Sequence, residues 1–398
     1  MSHDLLVENL LSIWWIILAA MLAPIFALIT RKYIPDVIWL LVFGIIIGPH
    51  LLGVAKTTES VEILREIGMG FLFMLAGFEV NTADMKSKQG KQAFLTWVIC
   101  FSLAVGIGFL FTKGEIDTSL VLAIATTSTA LGALLPMLKD SNMLESPLGK
   151  ATIIHGAYGE LLPIIAMSLL LSTLTPWQAS IILIIFTVSA ILVVITPVSF
   201  IRRLPLLGRA IVSASNTTMQ TTLRITVFIL VTLMLLTSIL KLDIAMGAFL
   251  AGILLNSVLG TFSPKHKKTI ENKIEVVGFS FLIPVFFITS GMNINLFQVL
   301  SKWHLLFGLV IFILIVRGAV VFSREVLFNT HSNLTLKKEQ IALGLYSASG
   351  LPIIVAVTDI AESSNIIDQF TSSIMVTSGA ITVLIFPLIA KIILKNSK

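Results

Sequence analysis

Thirteen runs of apolar residues, each long enough to cross a lipid bilayer, follow one another along this chain with only short polar connections between them. A helical span needs about 20 residues to cross a hydrocarbon core of about 30 Å. The runs lie at about 10–30, 37–54, 62–81, 91–112, 118–140, 149–172, 178–200, 221–240, 243–260, 276–293, 303–323, 339–358 and 370–391. No soluble fold hides so much apolar surface, because its exterior must face water. Of 398 residues, 56% are hydrophobic and 12% charged. The expected fold is therefore an all-α polytopic membrane protein of about thirteen transmembrane helices, without a soluble regulatory domain. Asp4 and Glu8 precede the first run where a signal peptide would carry lysines, and Arg31 and Lys32 follow it, so it should stay as the first span. Cys100 is the sole cysteine, which excludes an intrachain disulfide and a Cys-based metal site.

Charge placement predicts orientation. Loops after odd-numbered spans, with the C-terminal segment, hold 21 lysines and arginines, among them Arg202, Arg203 and Arg209. The opposite loops hold five: Lys56, Arg65, Lys113, Lys241 and Lys302. The positive-inside rule then puts the N-terminus outside and the C-terminus in the cytoplasm of a multi-pass protein of the cell membrane, which only an odd number of spans allows. The cluster Lys265-His266-Lys267-Lys268 reads as a topology-fixing loop rather than a nucleic-acid or headgroup site.

An internal repeat is visible. Phe71 to Asn81 reads FLFMLAGFEVN and Val285 to Asn295 reads VFFITSGMNIN, closing spans three and ten. Span two carries Gly44 and Gly48, and span nine carries Gly247 and Gly252. Six spans, one linking span and six more make two inverted six-helix repeats, the architecture in which secondary transporters place a site at the midplane.

Ionisable groups inside the spans are few, and each costs about 3 kcal/mol at the bilayer centre on insertion scales, so each marks a pathway. Glu160 lies about ten residues into span six, roughly 15 Å deep. A buried carboxylate can hold a proton or a hard monovalent cation, but not both. Span five carries Thr126, Thr127, Ser128 and Thr129 at similar depth, with Gly132 and Pro136 beyond. Span twelve carries the counterpart Ser347-Ala348-Ser349-Gly350-Leu351-Pro352. Hydroxyls and glycine at the fifth position of each repeat predict two discontinuous crossing helices, whose freed carbonyls and hydroxyls can ligate a cation. Arg317 in span eleven should neutralise helix ends or a carboxylate where the broken helices cross. His155 is a candidate proton relay. Glu79 and Asp359 sit near span ends, where a carboxylate costs little, and Asp243 reads as a helix-start residue.

At these residues a family is recognisable. Leu41-to-Pro49 (LVFGIIIGP), Phe71-to-Glu79 (FLFMLAGFE), Gly247-to-Leu254 (GAFLAGIL) and Pro284-to-Met292 (PVFFITSGM) together resemble the cation:proton antiporter superfamily, in its second branch with Kef-type and bacterial sodium/proton exchangers. The resemblance implies a homodimer. A dimerisation part at about 1–81 and 201–300 would hold still while a core at about 91–172 and 303–392 carries the ion by an elevator motion. Span six of better-known relatives bears Asn-Asp or Gln-Asp, where this chain has Gly159-Glu160. Glu160 inherits the carboxylate role without the preceding polar partner, and Arg317 takes the basic position of span eleven.

The expected activity is exchange of Na⁺ or K⁺ for H⁺, with no cofactor and no nucleic-acid partner. One titratable carboxylate beside a permanently charged arginine implies electroneutral 1:1 exchange. A sodium-coupled organic anion symporter of the same fold and a gated potassium channel are the alternatives. An intramembrane protease built on Ser347 or Ser349 with His155 lacks any Gly-x-Ser-x-Gly context.

Overall fold

The structure, a computed structural model, describes residues 3–30, 33–80, 82–171, 177–178, 180–182, 184–190, 192, 221–262 and 264–395. The expected span at 178–200 lies in large part outside the described residues, and Arg31, Lys32, Arg202, Arg203 and Arg209 lie outside them altogether. Among the described residues all regular structure is helical.

In chain order the helices used below are α1 (His3–Ile29), α2 (Asp36–Ile47), α3 (Glu59–Glu79), α4 (Thr82–Lys86), α5 (Lys88–Phe111), α6 (Ile116–Thr126), α7 (Leu131–Asp140), α8 (Pro147–Leu170), α9 (Thr221–Ile239), α10 (Ile244–Phe262), α11 (Pro264–Val277), α12 (Ile283–Met292), α13 (Leu296–Ser301), α14 (Trp303–Ile313), α15 (Val320–Leu327), α16 (Lys337–Ser347), α17 (Pro352–Ser363) and α18 (Gln369–Lys395). Eight helical stretches among the described residues are long and apolar enough to cross a bilayer: His3–Ile29, Lys88–Phe111, Ile116–Leu135, Pro147–Leu170, Ile270–Met292, Trp303–Leu327, Lys337–Ser363 and Gln369–Lys395. Asp36–Ile47, Leu223–Ile239 and Ile244–Leu259 are shorter apolar helices.

Element ends follow local chemistry. Helix α1 starts at His3, about two turns before the expected limit, so Asp4 falls in its first turn. An acidic residue there suits the positive end of the helix dipole. Helix α2 stops at Ile47 instead of running to 54. Gly48 leaves the helix at φ −70°, ψ 171°, because Pro49 disfavours helical geometry in the residue before it. Asp243 starts α10 by accepting from the Ala245 amide at 2.8 Å. Two π-helical turns interrupt otherwise α-helical segments, Gly278–Leu282 before α12 and Leu314–Ala319 between α14 and α15; the second carries Arg317.

The chain divides into two compact units, Met1–Thr58 with Asn81–Met167 and Phe287–Lys398, and Glu59–Val80 with Ser168–Phe286. In the first unit α2 packs on α12 backbone to backbone. A methyl on Gly44 would overlap the carbonyl oxygen of Ile288, and one on Gly291 would overlap that of Leu41. In the second unit α10 packs on α3 in the same manner, with Gly252 against the Met74 carbonyl and Gly77 against the Phe249 carbonyl. The sequence repeat pairs span two with nine and three with ten, so each of these contacts is the repeat equivalent of the other. Small residues that let helix backbones meet are the usual cement of membrane helices.

Candidate functional site

All the candidate site residues fall in the first unit, around two interrupted helices. Helix α6 ends at Thr126 and α7 begins at Leu131. Approaching the break, hydroxyls bond back to carbonyls of the preceding turn: Thr126 Oγ1 donates to Leu122 O, Thr127 Oγ1 to Ala123 O and Ser128 Oγ to Ala125 O, each at 2.7 Å. These three side chains therefore commit their protons to their own helix and keep oxygen lone pairs to offer. Thr129 does otherwise: its hydroxyl donates across to Ser347 O at 2.6 Å. The second break lies between α16 and α17, and Pro352 restarts the helix at a position where a missing amide donor does no harm. Ser349 Oγ donates back to Leu345 O at 3.0 Å, whereas the buried Ser347 Oγ has no hydrogen-bond partner.

The two breaks touch. Ala130 N donates to Ser349 O at 2.6 Å, and Thr129 N donates to Gly159 O on α8 at 3.0 Å. Gly350 lies so near Ser128 that a Cβ would stand 2.6 Å from Ser128 Oγ. The second break is also tied to α18: Gly350 N donates to Thr382 Oγ1 at 3.4 Å, and the same hydroxyl donates to Gly350 O at 3.3 Å. Thr382 has no distinguishing sequence signal, since isolated hydroxyls in apolar helices usually back-bond.

Glu160 is 4% exposed. Its Oε1 accepts from the Leu131 amide at 2.8 Å, so the carboxylate closes the N-terminal end of half-helix α7, where free amides and the helix dipole favour negative charge. Its Oε2 is buried without a hydrogen-bond partner. Glu160 Oε2 and Ser347 Oγ are thus two buried oxygens with unused capacity beside the breaks, and oxygen is the donor type that hard cations take.

Arg317 is fully buried. Its Nε donates to Ser347 O at 3.3 Å, one Nη to Thr129 Oγ1 and His155 O, each at 3.2 Å, and the other approaches Cys100 Sγ at 3.8 Å. These partners are neutral: the cation faces the carbonyl end of α16 rather than a carboxylate, and helix C-termini favour positive charge. Of the two roles expected for Arg317, its position corresponds to the helix end.

His155 faces Glu325, a residue absent from the sequence-based candidates. His155 Nε2 lies 3.9 Å from Glu325 Oε1, with both side chains buried. Thr330 and Ser332 donate to the other carboxylate oxygen at 2.8 and 2.5 Å. Glu79 closes α3 half-buried, and Asp359 lies half-buried on α17.

Residues 17–396 match the family described as "Sodium/hydrogen exchanger, transmembrane". The Na(+)/H(+) antiporter of Enterococcus hirae is 24% identical over 92% of this chain and 94% of its own length. The Na(+)/H(+)-K(+) antiporter GerN of Bacillus cereus is 23% identical over 86% of each chain. YjbQ of Bacillus subtilis is 23% identical over 96% of this chain, which spans 63% of that protein's length. The sodium proton antiporter MjNhaP1 of Methanocaldococcus jannaschii superposes with a TM-score of 0.66 at 19% identity, covering 98% of this chain and 99% of that one, which shows a shared fold. With broken helices at the crossing, a carboxylate closing the end of one half-helix and a family match running over nearly its whole length, this chain belongs to the sodium/hydrogen exchanger family of the cation:proton antiporter superfamily.

Proposed function

We propose that this chain exchanges a monovalent cation, Na⁺ or K⁺, for a proton across the cell membrane, with Glu160 as the group that carries either ion. The observation that supports it above all is the state of that carboxylate. One oxygen is anchored to the Leu131 amide and the other is buried with no partner, and the Ser347 hydroxyl of the second break is likewise buried and unpartnered. A carboxylate so placed accepts one positive species at a time, which makes proton and cation exclusive occupants. Relatives named for Na⁺/H⁺ and for Na⁺/H⁺-K⁺ exchange support the same cargo.

In this reading the exchange is electroneutral, one cation for one proton, because Arg317 keeps its charge throughout and Glu160 alone changes occupant at the crossover. The core at about 91–172 and 303–392 moves against a dimerisation part at about 1–81 and 201–300 in a homodimer, with the N-terminus outside and the C-terminus in the cytoplasm. The test is exchange in proteoliposomes carrying an internal pH dye, with Na⁺ and K⁺ gradients imposed in turn. Wild-type protein should move protons against either or both cations, and Glu160→Gln should fall to the level of protein-free liposomes. Undiminished exchange by Glu160→Gln would remove the carboxylate from the mechanism. A rate that follows an imposed membrane potential would refute the 1:1 stoichiometry while leaving the carrier in place.

A further inference from the structure

We propose that the Thr129 hydroxyl is the group that positions Arg317, and that the bare backbone at Gly159 exists to leave room for it; only the transport readout of this inference rests on the exchanger reading above. The Thr129 hydroxyl donates to Ser347 O at 2.6 Å and accepts from an Arg317 Nη at 3.2 Å. Arg317 Nε reaches the same Ser347 carbonyl at 3.3 Å. Hydroxyl, guanidinium and carbonyl thus form one buried triangle. Ser347 closes α16, and its carbonyl is among the last four of that helix, which have no partner within it. Among the four hydroxyl residues of the first break, Thr129 alone bonds across to another helix.

Gly159 is the other half of the arrangement. A Cβ there would overlap Thr129 Oγ1, stand 2.6 Å from Thr129 Cβ and 3.0 Å from an Arg317 Nη. A side chain at 159 and the hydroxyl of Thr129 would therefore occupy one volume, and the structure fills it from the opposite helix. The polar side chain that the family resemblance leads one to expect just before Glu160 is replaced by a hydroxyl delivered from the broken helix. Its job here is to hold a buried cation whose described partners are otherwise two carbonyls and a thiol. Removing it leaves one N–H of that charge short of an acceptor, a loss that is large when the donor is charged and buried.

The experiment is a five-variant swap that includes Thr129→Gly alone. Thr129→Ser keeps the hydroxyl and should retain exchange, whereas Thr129→Val keeps the shape without it and should lose at least about tenfold in maximal rate. Gly159→Ser should lose exchange through the overlap. Gly159→Ser combined with Thr129→Gly returns a hydroxyl to the same volume from the α8 side, and should recover well above either single change. Thermal unfolding in detergent should give the same order, whichever ion is moved: Gly159→Ser lowered, the double variant restored. This second readout decides the inference even if the wild type moves no cation, an outcome that would count against the exchanger reading alone. Wild-type rate in Thr129→Val, or a folded double variant no better than its parents by both readouts, overturns the proposal.

Discussion

Glu325 shows what single residues in lipid reveal and what they hide. Glu160 and Arg317 stand out because charge is scarce around them, and both contact the interrupted helices. Glu325 gave no such signal. It lies at the end of the eleventh apolar run, where a carboxylate normally meets water, but residues 330–332 fold back onto it and His155 lies against it. Thr330, Ser332 and His155 all face this carboxylate, while Arg324 beside it donates instead to Gln92 at 2.6 Å. Glu325→Ala should leave the Thr330 and Ser332 hydroxyls without their carboxylate acceptor and cost about 1–3 kcal/mol of stability. Glu325→Gln keeps a carbonyl oxygen for the hydroxyls and should cost less. Thermal unfolding of the two variants in detergent checks the order, and equal losses would remove the hydroxyl network from the explanation. The packing of Gly159 against Thr129 was equally illegible, since nothing in the local sequence says which helix lies opposite.

At the scale of elements, both interruptions were legible because they are written locally. Clustered Ser and Thr offer alternative partners to the backbone, and glycine and proline punctuate the helix. The π-turn at Leu314–Ala319 was not legible, since nothing in the run LIVRGA marks an extra residue per turn. Helix ends obey the same local chemistry. Asp368 precedes α18, and its Oδ1 accepts from the Thr371 amide at 2.9 Å, a cap of the kind that typically contributes about 1 kcal/mol. Hydrogen bonds from Thr371 hold the Asp368 carboxyl below its ordinary range. A carboxyl whose folded value is depressed stabilises fully above its unfolded value and loses that contribution as pH falls through the folded one. Asp368→Asn should therefore weaken the acid limb of the stability-versus-pH curve, leaving stability near neutrality little changed because Asn also caps. Unfolding temperatures measured from pH 7 down to pH 3 in both proteins check this, and parallel curves would refute it.

On the scale of the molecule, the sequence repeat makes a claim that a span count cannot. Where span two meets span ten in one unit and span nine meets span three in the other, the same kind of residue performs the same task. Gly44 and Gly252 each bring a helix onto a partner's carbonyl oxygen, of Ile288 and of Met74 respectively. If the two contacts are repeat equivalents, equal insults should have equal effects. Alanine at either position pushes a methyl into backbone, which cannot swing aside as a side chain can, so each should cost about 1–3 kcal/mol through overpacking. Gly106 and Gly308 provide the controls, since a methyl at either meets nothing within 4 Å. There alanine should be neutral or stabilising, because glycine is the poorer helix former by about 1 kcal/mol. Thermal unfolding of the four alanine variants should therefore sort them into a destabilised pair and an unaffected pair. A result in which Gly44→Ala and Gly252→Ala differ as much from each other as from the controls would mean that the motif repeats without the packing repeating. The inverted architecture would then rest on sequence likeness alone.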